Sequence, residues 1–233
     1  MAPPAAEAAT PMKEYAMGRT SVEKMEEPKP DWADPAVVGL MGFGTTTMLA
    51  GLSNLPQPYG SGLGTTNAPV FAMAMAFGGS AQLIAGIIDM RRNNMFGGAA
   101  FMGYGAFWWA FTLMLLWDPA GAGLTTYGIS AFTFVWFLFT LTFFICSFKR
   151  GWGIIGVFGL LTIAYLLLTV KFWSLAANAI GCTSLAGCGP FAATATTANW
   201  LVGGEIFLTG ILAWYVASSI LAENQYGRRI LPR

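Results

Sequence analysis

Between Ala36 and Ala222 the chain carries eight charged side chains: Asp89, Arg91, Arg92, Asp118, Lys149, Arg150, Lys171 and Glu205. A run of 187 residues with so few charges cannot present an ordinary water-facing surface. Across the whole chain 10% of residues are charged and 55% are hydrophobic, where a soluble domain carries about 25% charged residues. The 36–222 segment therefore belongs in a bilayer.

The flanks read differently. Residues 1–35 hold eleven charges and open "MAPPAAEAATPMKEYAMGRTSVEKMEEPKPDW", rich in Pro, Ala and Glu. Without a continuous apolar core this segment is expected to be a disordered cytoplasmic tail and not a secretory signal peptide. Residues 223–233 are expected to form a short cytoplasmic C-terminal tail.

A membrane-spanning helix needs about 20 mostly apolar residues. Six stretches qualify: Val37–Leu55, Ala68–Ile88, Gly97–Trp117, Tyr127–Phe148, Gly153–Trp173 and Ala198–Leu221. Turn-forming strings such as "NLPQPYGSG", "DMRRNN", "DPAGAG" and "KRGWG" separate them. The expected fold is all-α and polytopic, six spans in a compact bundle. With an even number of spans, both termini and the second and fourth connections share a side. That side collects eleven of the twelve basic residues, and only Lys171 falls toward the other. By the positive-inside rule both termini are cytoplasmic.

Several features exclude function classes. The chain has no histidine, which removes Ser-His-Asp and Cys-His catalysis and the common histidine metal sites. Its three cysteines lack metal-binding spacing. No nucleophile constellation, cofactor motif or basic stripe for nucleic acid is present. An enzyme is not expected, nor a metal, cofactor or nucleic-acid partner. Cys182 and Cys188 lie six residues apart in an outward-facing connection, where a disulfide and two free thiols are equally compatible with the sequence. Cys146 reads as inert.

Polar residues inside the spans are the candidate functional groups. A threonine can return its hydroxyl to its own helix, so Thr45, Thr46 and Thr47 each favour that role. The amide of Gln82 is harder to satisfy within one helix and serves either as interhelical glue or as a pathway ligand. Glu205 is the one acid well inside a span and hence a candidate proton site. Asp89, beside Arg91 and Arg92, reads as half of a local ion pair. Abundant glycine in the spans points to close helix packing, which leaves only a narrow interior.

One string occurs twice. "MGFG" at Met41–Gly44 returns as "MGYG" at Met102–Gly105. On the residues alone, both aromatics read as packing against lipid or a neighbouring subunit.

The surrounding residues carry a resemblance. "DPAVVGLMGFGTTTML" resembles the "NPAPLGLMGFGMTT"-type opening of the acetate uptake transporter family, which includes bacterial acetate/succinate permeases and fungal acetate permeases. "FGGSAQLIAGIIDMRRNNMFGGAAFMGYGAFWW" is similar to the family's "YGG-AQ--AG--E-KKGNTFG--AF-SYG-FW", and "ENQYGRRILP" to "NEQFGRTVLP". These pieces lie in order over Ala33 to Pro232. The opening motif falls on Asp34, Pro35, Gly39 and Leu40, with Asp34 in place of the family's asparagine and Asp89 in place of a glutamate. Glu205 matches no family position, and the connection holding Cys182 and Cys188 is longer than the family's.

The resemblance implies a homohexamer in the cell membrane, each subunit passing acetate or related small monocarboxylates along a central path. It also implies a hydrophobic waist of Phe43, Tyr104 and Leu161. From the residues themselves, Thr46 and Gln82 read as neutral donors along such a path. The three waist residues fall 61 and 57 positions apart on odd-numbered spans, consistent with three helical hairpins around one axis. With no arginine or lysine deep in the spans, an anion would meet no strong counter-charge. That favours weak, fast anion passage or uptake with a proton. The competing readings are a channel for another small solute such as ammonia, and a membrane sensor without flux.

Overall fold

A computed structural model describes residues 32–56, 68–117, 125–181 and 191–232, with side chains for all of these except 177–181 and 191–197. The expected tail before residue 32 and the Cys182–Cys188 connection lie outside the described residues. Six helices carry the described chain: α1 (Ala36–Asn54), α2 (Ala68–Arg91), α3 (Met95–Trp117), α4 (Thr126–Ser147), α5 (Trp152–Gly181) and α6 (Phe191–Tyr226). All six contain a window long and apolar enough to cross a membrane. Helix α5 runs eight residues past the expected end at Trp173, and α6 begins seven before Ala198.

The chain alternates between two ends. Arg91, Arg92, Lys149, Arg150, Arg228 and Arg229 gather at one, called the basic end here. The turns there are short. Between α2 and α3, Asn93 takes a left-handed conformation (φ 58°), which asparagine tolerates better than most residues. Asn94 then caps α3, its side-chain carbonyl accepting from Gly97 N at 3.3 Å.

Helices α2 and α3 pair across this turn, α4 and α5 pair across the next, and α1 pairs with α6. Three antiparallel pairs thus build the bundle, each containing one odd-numbered helix. Glycine makes the α1–α6 seam possible. A Cβ at Gly51 would lie 2.6 Å from the backbone nitrogen of Phe207, and one at Gly210 would lie 2.6 Å from that of Met48. Gly44 and Gly203 meet similar obstruction. Helices in lipid associate by such packing because burial from lipid yields no hydrophobic gain.

Residues Ala74–Ala81 of α2, "AMAFGGSA", form a π-helix. Here Ser80 Oγ donates to the carbonyl of Met75 five residues earlier at 2.7 Å, and Trp109 Nε1 of α3 donates to Ser80 Oγ at 3.2 Å. The sequence reading did not anticipate it. A wider turn changes the angular register of everything after it, so the face presented by Gln82 is not the one a 3.6-residue period extrapolates.

Apolar side chains also cover the outside of the bundle. Val135, Ile145, Leu201 and Leu208 are all more than half exposed. A water-soluble bundle would put polar residues there, and a lipid-facing surface accounts for them.

Candidate functional site

Three side chains from three helices meet in the middle of the bundle. Phe43 of α1, Tyr104 of α3 and Leu161 of α5 are all buried, and the Phe43 and Tyr104 ring centroids lie 5.6 Å apart. The Tyr104 hydroxyl donates to Thr140 Oγ1 of α4 at 2.8 Å, and Phe139, Phe143, Phe158 and Trp136 surround its ring. The phenol is therefore tethered at its polar end and wedged along its body. Gly39, one turn before Phe43, lets the Phe101 ring sit where a Cβ would be, with its carbons 2.7 Å from that position.

Two cavities flank this cluster. The basic-end cavity, about 190 Å³, is lined among others by Leu40, Gln82, Asp89, Asn94 and Arg150. The far-end cavity, about 70 Å³, is lined by residues including Thr47, Asn54, Phe107, Trp108 and Tyr165. Phe43 and Leu161 belong to both walls, and Tyr104 to the first. The two cavities thus share Phe43 and Leu161 as common wall residues.

The polar residues singled out from sequence sort differently. Gln82 is 1% exposed, lines the basic-end cavity, and its Oε1 has no hydrogen-bond partner. Thr45 returns its hydroxyl to Met41 O at 2.6 Å, as a threonine in a helix commonly does. Thr46 lines neither cavity. It sits in the seam between α1 and α2, against the face of Gly78, and makes a long 3.4 Å contact to Met73 O. Thr47, its neighbour, lines the far-end cavity with an unpartnered hydroxyl. A 100° step between adjacent helical residues decides this, and three consecutive threonines do not reveal which step faces inward.

Asp89 does more than its expected ion pair. Arg92 does approach it, at 3.6 Å, while holding Asp34 at 3.2 Å. Asn94 donates to Asp89 Oδ2 at 2.9 Å. Asp89 Oδ1 has no hydrogen bond, and the fully buried side chain lines the basic-end cavity. Asp34 also accepts from Ala36 N at 2.9 Å, so the opening motif ties the start of α1 to the α2–α3 turn. Pro35 begins that turn of helix, and Leu40 reaches the cavity.

Glu205 lines neither cavity. Its Oε1 accepts from Thr209 one turn on at 2.9 Å, and its Oε2 is buried without a partner. Lys171 is placed by a helix longer than expected. The extension of α5 to Gly181 puts it nearly three turns inside that helix, half-buried, with Nζ donating to Asn54 Oδ1 at 3.2 Å. The apolar stretch of α5 that is long enough to cross a membrane ends at Ala176, five residues beyond Lys171. No histidine, cysteine and acid cluster suited to a metal occurs among the described residues.

Residues 17–231 match the model of the GPR1/FUN34/yaaH family, and the chain belongs to that family. An uncharacterized protein of Methanothermobacter thermautotrophicus is 34% identical over 209 residues, covering 86% of this chain and 90% of its own. The succinate-acetate/proton symporter SatP of Escherichia coli K12 is 31% identical over 202 residues, covering 86% of this chain and 94% of its own. The solved structure of the bacterial acetate channel SatP superposes with a TM-score of 0.71 at 29% identity, over 87% of this chain and 99% of that one. These named relatives are a symporter and a channel, not enzymes. The chain is a multi-pass membrane protein.

Proposed function

We propose that this member of the GPR1/FUN34/yaaH family carries acetate and related small monocarboxylates across the cell membrane, one path per subunit. The observation that supports it most is the shared wall: Phe43 and Leu161 face both cavities. A solute crossing between them must pass the Phe43–Tyr104–Leu161 layer. Such a layer excludes well-hydrated solutes by dewetting and admits a small one that sheds few waters. Acetate, with one methyl and one carboxyl group, fits that demand. Gln82 on one side and Thr47 on the other offer neutral groups to a carboxyl close to the constriction.

In this reading both ends of the 36–222 domain point to the cytoplasm, following the basic end. Six subunits assemble, each with its own path. A proton accompanies the anion, and the half-buried Glu205 and the buried Asp89 are the candidates to handle it. Of these Asp89 lines the path, while Glu205 would act through its own helix.

The decisive measurement uses the purified chain in proteoliposomes, with labelled acetate offered on one side and internal pH recorded. Saturable acetate entry with acidification is expected. Ammonium flux without acetate flux would replace this reading with an ammonia channel, and no flux of either would favour a sensor.

A further inference from the structure

The threonines of α4 divide by what their hydroxyls bond. Thr133 and Thr142 return theirs to their own helix, to Ser130 O at 2.9 Å and Leu138 O at 3.1 Å, as threonines in helices commonly do. Thr140 lies between them, fully buried, and accepts from a different helix. The Tyr104 hydroxyl of α3 donates to its Oγ1 at 2.8 Å. Tyr104 is 3% exposed and lines the basic-end cavity, whereas Thr140 lines neither cavity. The polar end of the phenol is thus held in the α3–α4 seam while its ring forms part of the cavity wall.

The packing around that ring would serve a phenylalanine as well. Trp136 and Phe143, one turn either side of Thr140, approach the Tyr104 ring with centroids at 6.2 and 6.4 Å, and Phe139 meets it edge to face at 5.4 Å. These contacts hold the body of the side chain and leave the hydroxyl to find its own partner. That hydroxyl carries the one polar side-chain atom among Phe43, Tyr104 and Leu161, so its direction decides whether the three present only carbon. A second acceptor stands in the same cavity wall: Gln82 Oε1, buried and without a partner. A buried donor deprived of its acceptor is costly, so a phenol without the Thr140 oxygen turns to the cavity, toward Gln82 or water. There it would offer water a hydrogen bond at the constriction. An apolar layer excludes hydrated solutes only while no such bond is available.

We infer that Thr140 is a positioning residue for the constriction: by drawing the Tyr104 hydroxyl into the α3–α4 seam, it makes the tyrosine present carbon alone to the path and keeps the layer dry. This deepens the transport reading and rests on it for its purpose, while dryness itself can be measured without acetate.

The test uses the full chain in proteoliposomes. Osmotic water permeability is read by stopped-flow light scattering, and the acetate-to-succinate flux ratio with labelled solutes. Thr140→Val puts a methyl group in place of the acceptor and preserves the shape. It is expected to raise water permeability per assembled protein about fivefold, the factor one neutral hydrogen bond contributes, and to lower the flux ratio. Thr140→Ser, which keeps the acceptor, should hold both near their wild-type values. In a Tyr104→Phe background Thr140→Val should change neither, because no hydroxyl is left to release. A purely structural role would act in both backgrounds, so this double-mutant cycle separates the two. Thr140→Ala removes the acceptor with less crowding and takes the place of Thr140→Val if that variant does not assemble. Unchanged water permeability when the acceptor is removed, or an equal rise in the Tyr104→Phe background, would overturn the inference. A rise confined to the tyrosine background, in a protein that carries no acetate, would remove the transport reading and leave the positioning role standing.

Discussion

Phe43, Tyr104 and Leu161 illustrate how little a side chain's identity says about its role and how much its neighbours do. Each is an ordinary membrane residue, yet all three line the basic-end cavity and two of them, Phe43 and Leu161, line the far-end one as well. If they form the constriction, Phe43→Ala and Leu161→Ala should weaken discrimination between acetate and succinate, because the narrowest point widens and stays wet. The acetate-to-succinate flux ratio, per correctly assembled protein, checks this. An unchanged ratio would return both residues to packing roles. Phe107, three residues beyond Tyr104 on the same helix, is no off-axis control for this experiment. It lines the far-end cavity and meets the Tyr165 ring edge to face, with centroids 5.4 Å apart. Phe134, nearly half exposed on α4, is the better one. The two acids separate in the same way. Glu205→Gln should reduce acetate-driven acidification more than passive acetate exchange if Glu205 handles the proton. Equal acidification in that variant, with a loss in Asp89→Asn, would assign the proton to the acid that lines the cavity.

At the scale of elements, the α1–α6 seam carries the tightest constraint. Gly44 and Gly51 face Gly203 and Gly210, with backbone atoms occupying the space a side chain would need. Gly51→Ala places its Cβ against the Phe207 backbone, which cannot swing aside as a side-chain terminus could. The pair must separate, at a cost of about 1–3 kcal/mol by the measure of overpacked cores. Thermal unfolding in detergent should show this as a lowered midpoint. Gly204→Ala, where nothing lies within 4 Å, should leave the midpoint unchanged. The π-helical turn in α2 is the other element whose geometry has consequences. It sits beside the α1–α2 contact at Gly42 and Gly78 and immediately precedes Gln82, so it sets where that amide enters the basic-end cavity.

For the whole molecule, the placement of charge predicts the orientation. Tyr226 at the basic end and Tyr127 at the far end are both more than half exposed. In a background lacking the native cysteines, Tyr127→Cys should react with a membrane-impermeant maleimide in intact cells, and Tyr226→Cys only after lysis. The reverse pattern would invert the protein. Native mass spectrometry in mild detergent checks the six-subunit assembly, for which a mass near six times the 24.9 kDa chain is expected.

The number of spans and their approximate limits were legible in the sequence, because a bilayer demands length and apolarity and both are local properties. The basic asymmetry was legible for the same reason. The convergence of Phe43, Tyr104 and Leu161 was legible only through resemblance, since residues 61 and 57 positions apart carry no local mark of meeting. What remained belongs to angle and depth. Which of three adjacent threonines faces a cavity depends on the rotation of α1 against its neighbours, and hence on glycine contacts made by other helices. The π-helical turn shifts α2 in a way no regular period contains. Lys171 was expected two residues before the end of α5 at Trp173, and stands ten before it because the helix continues to Gly181. Local composition selects helix and membrane, whereas the register between helices is set by contacts between residues distant in the chain.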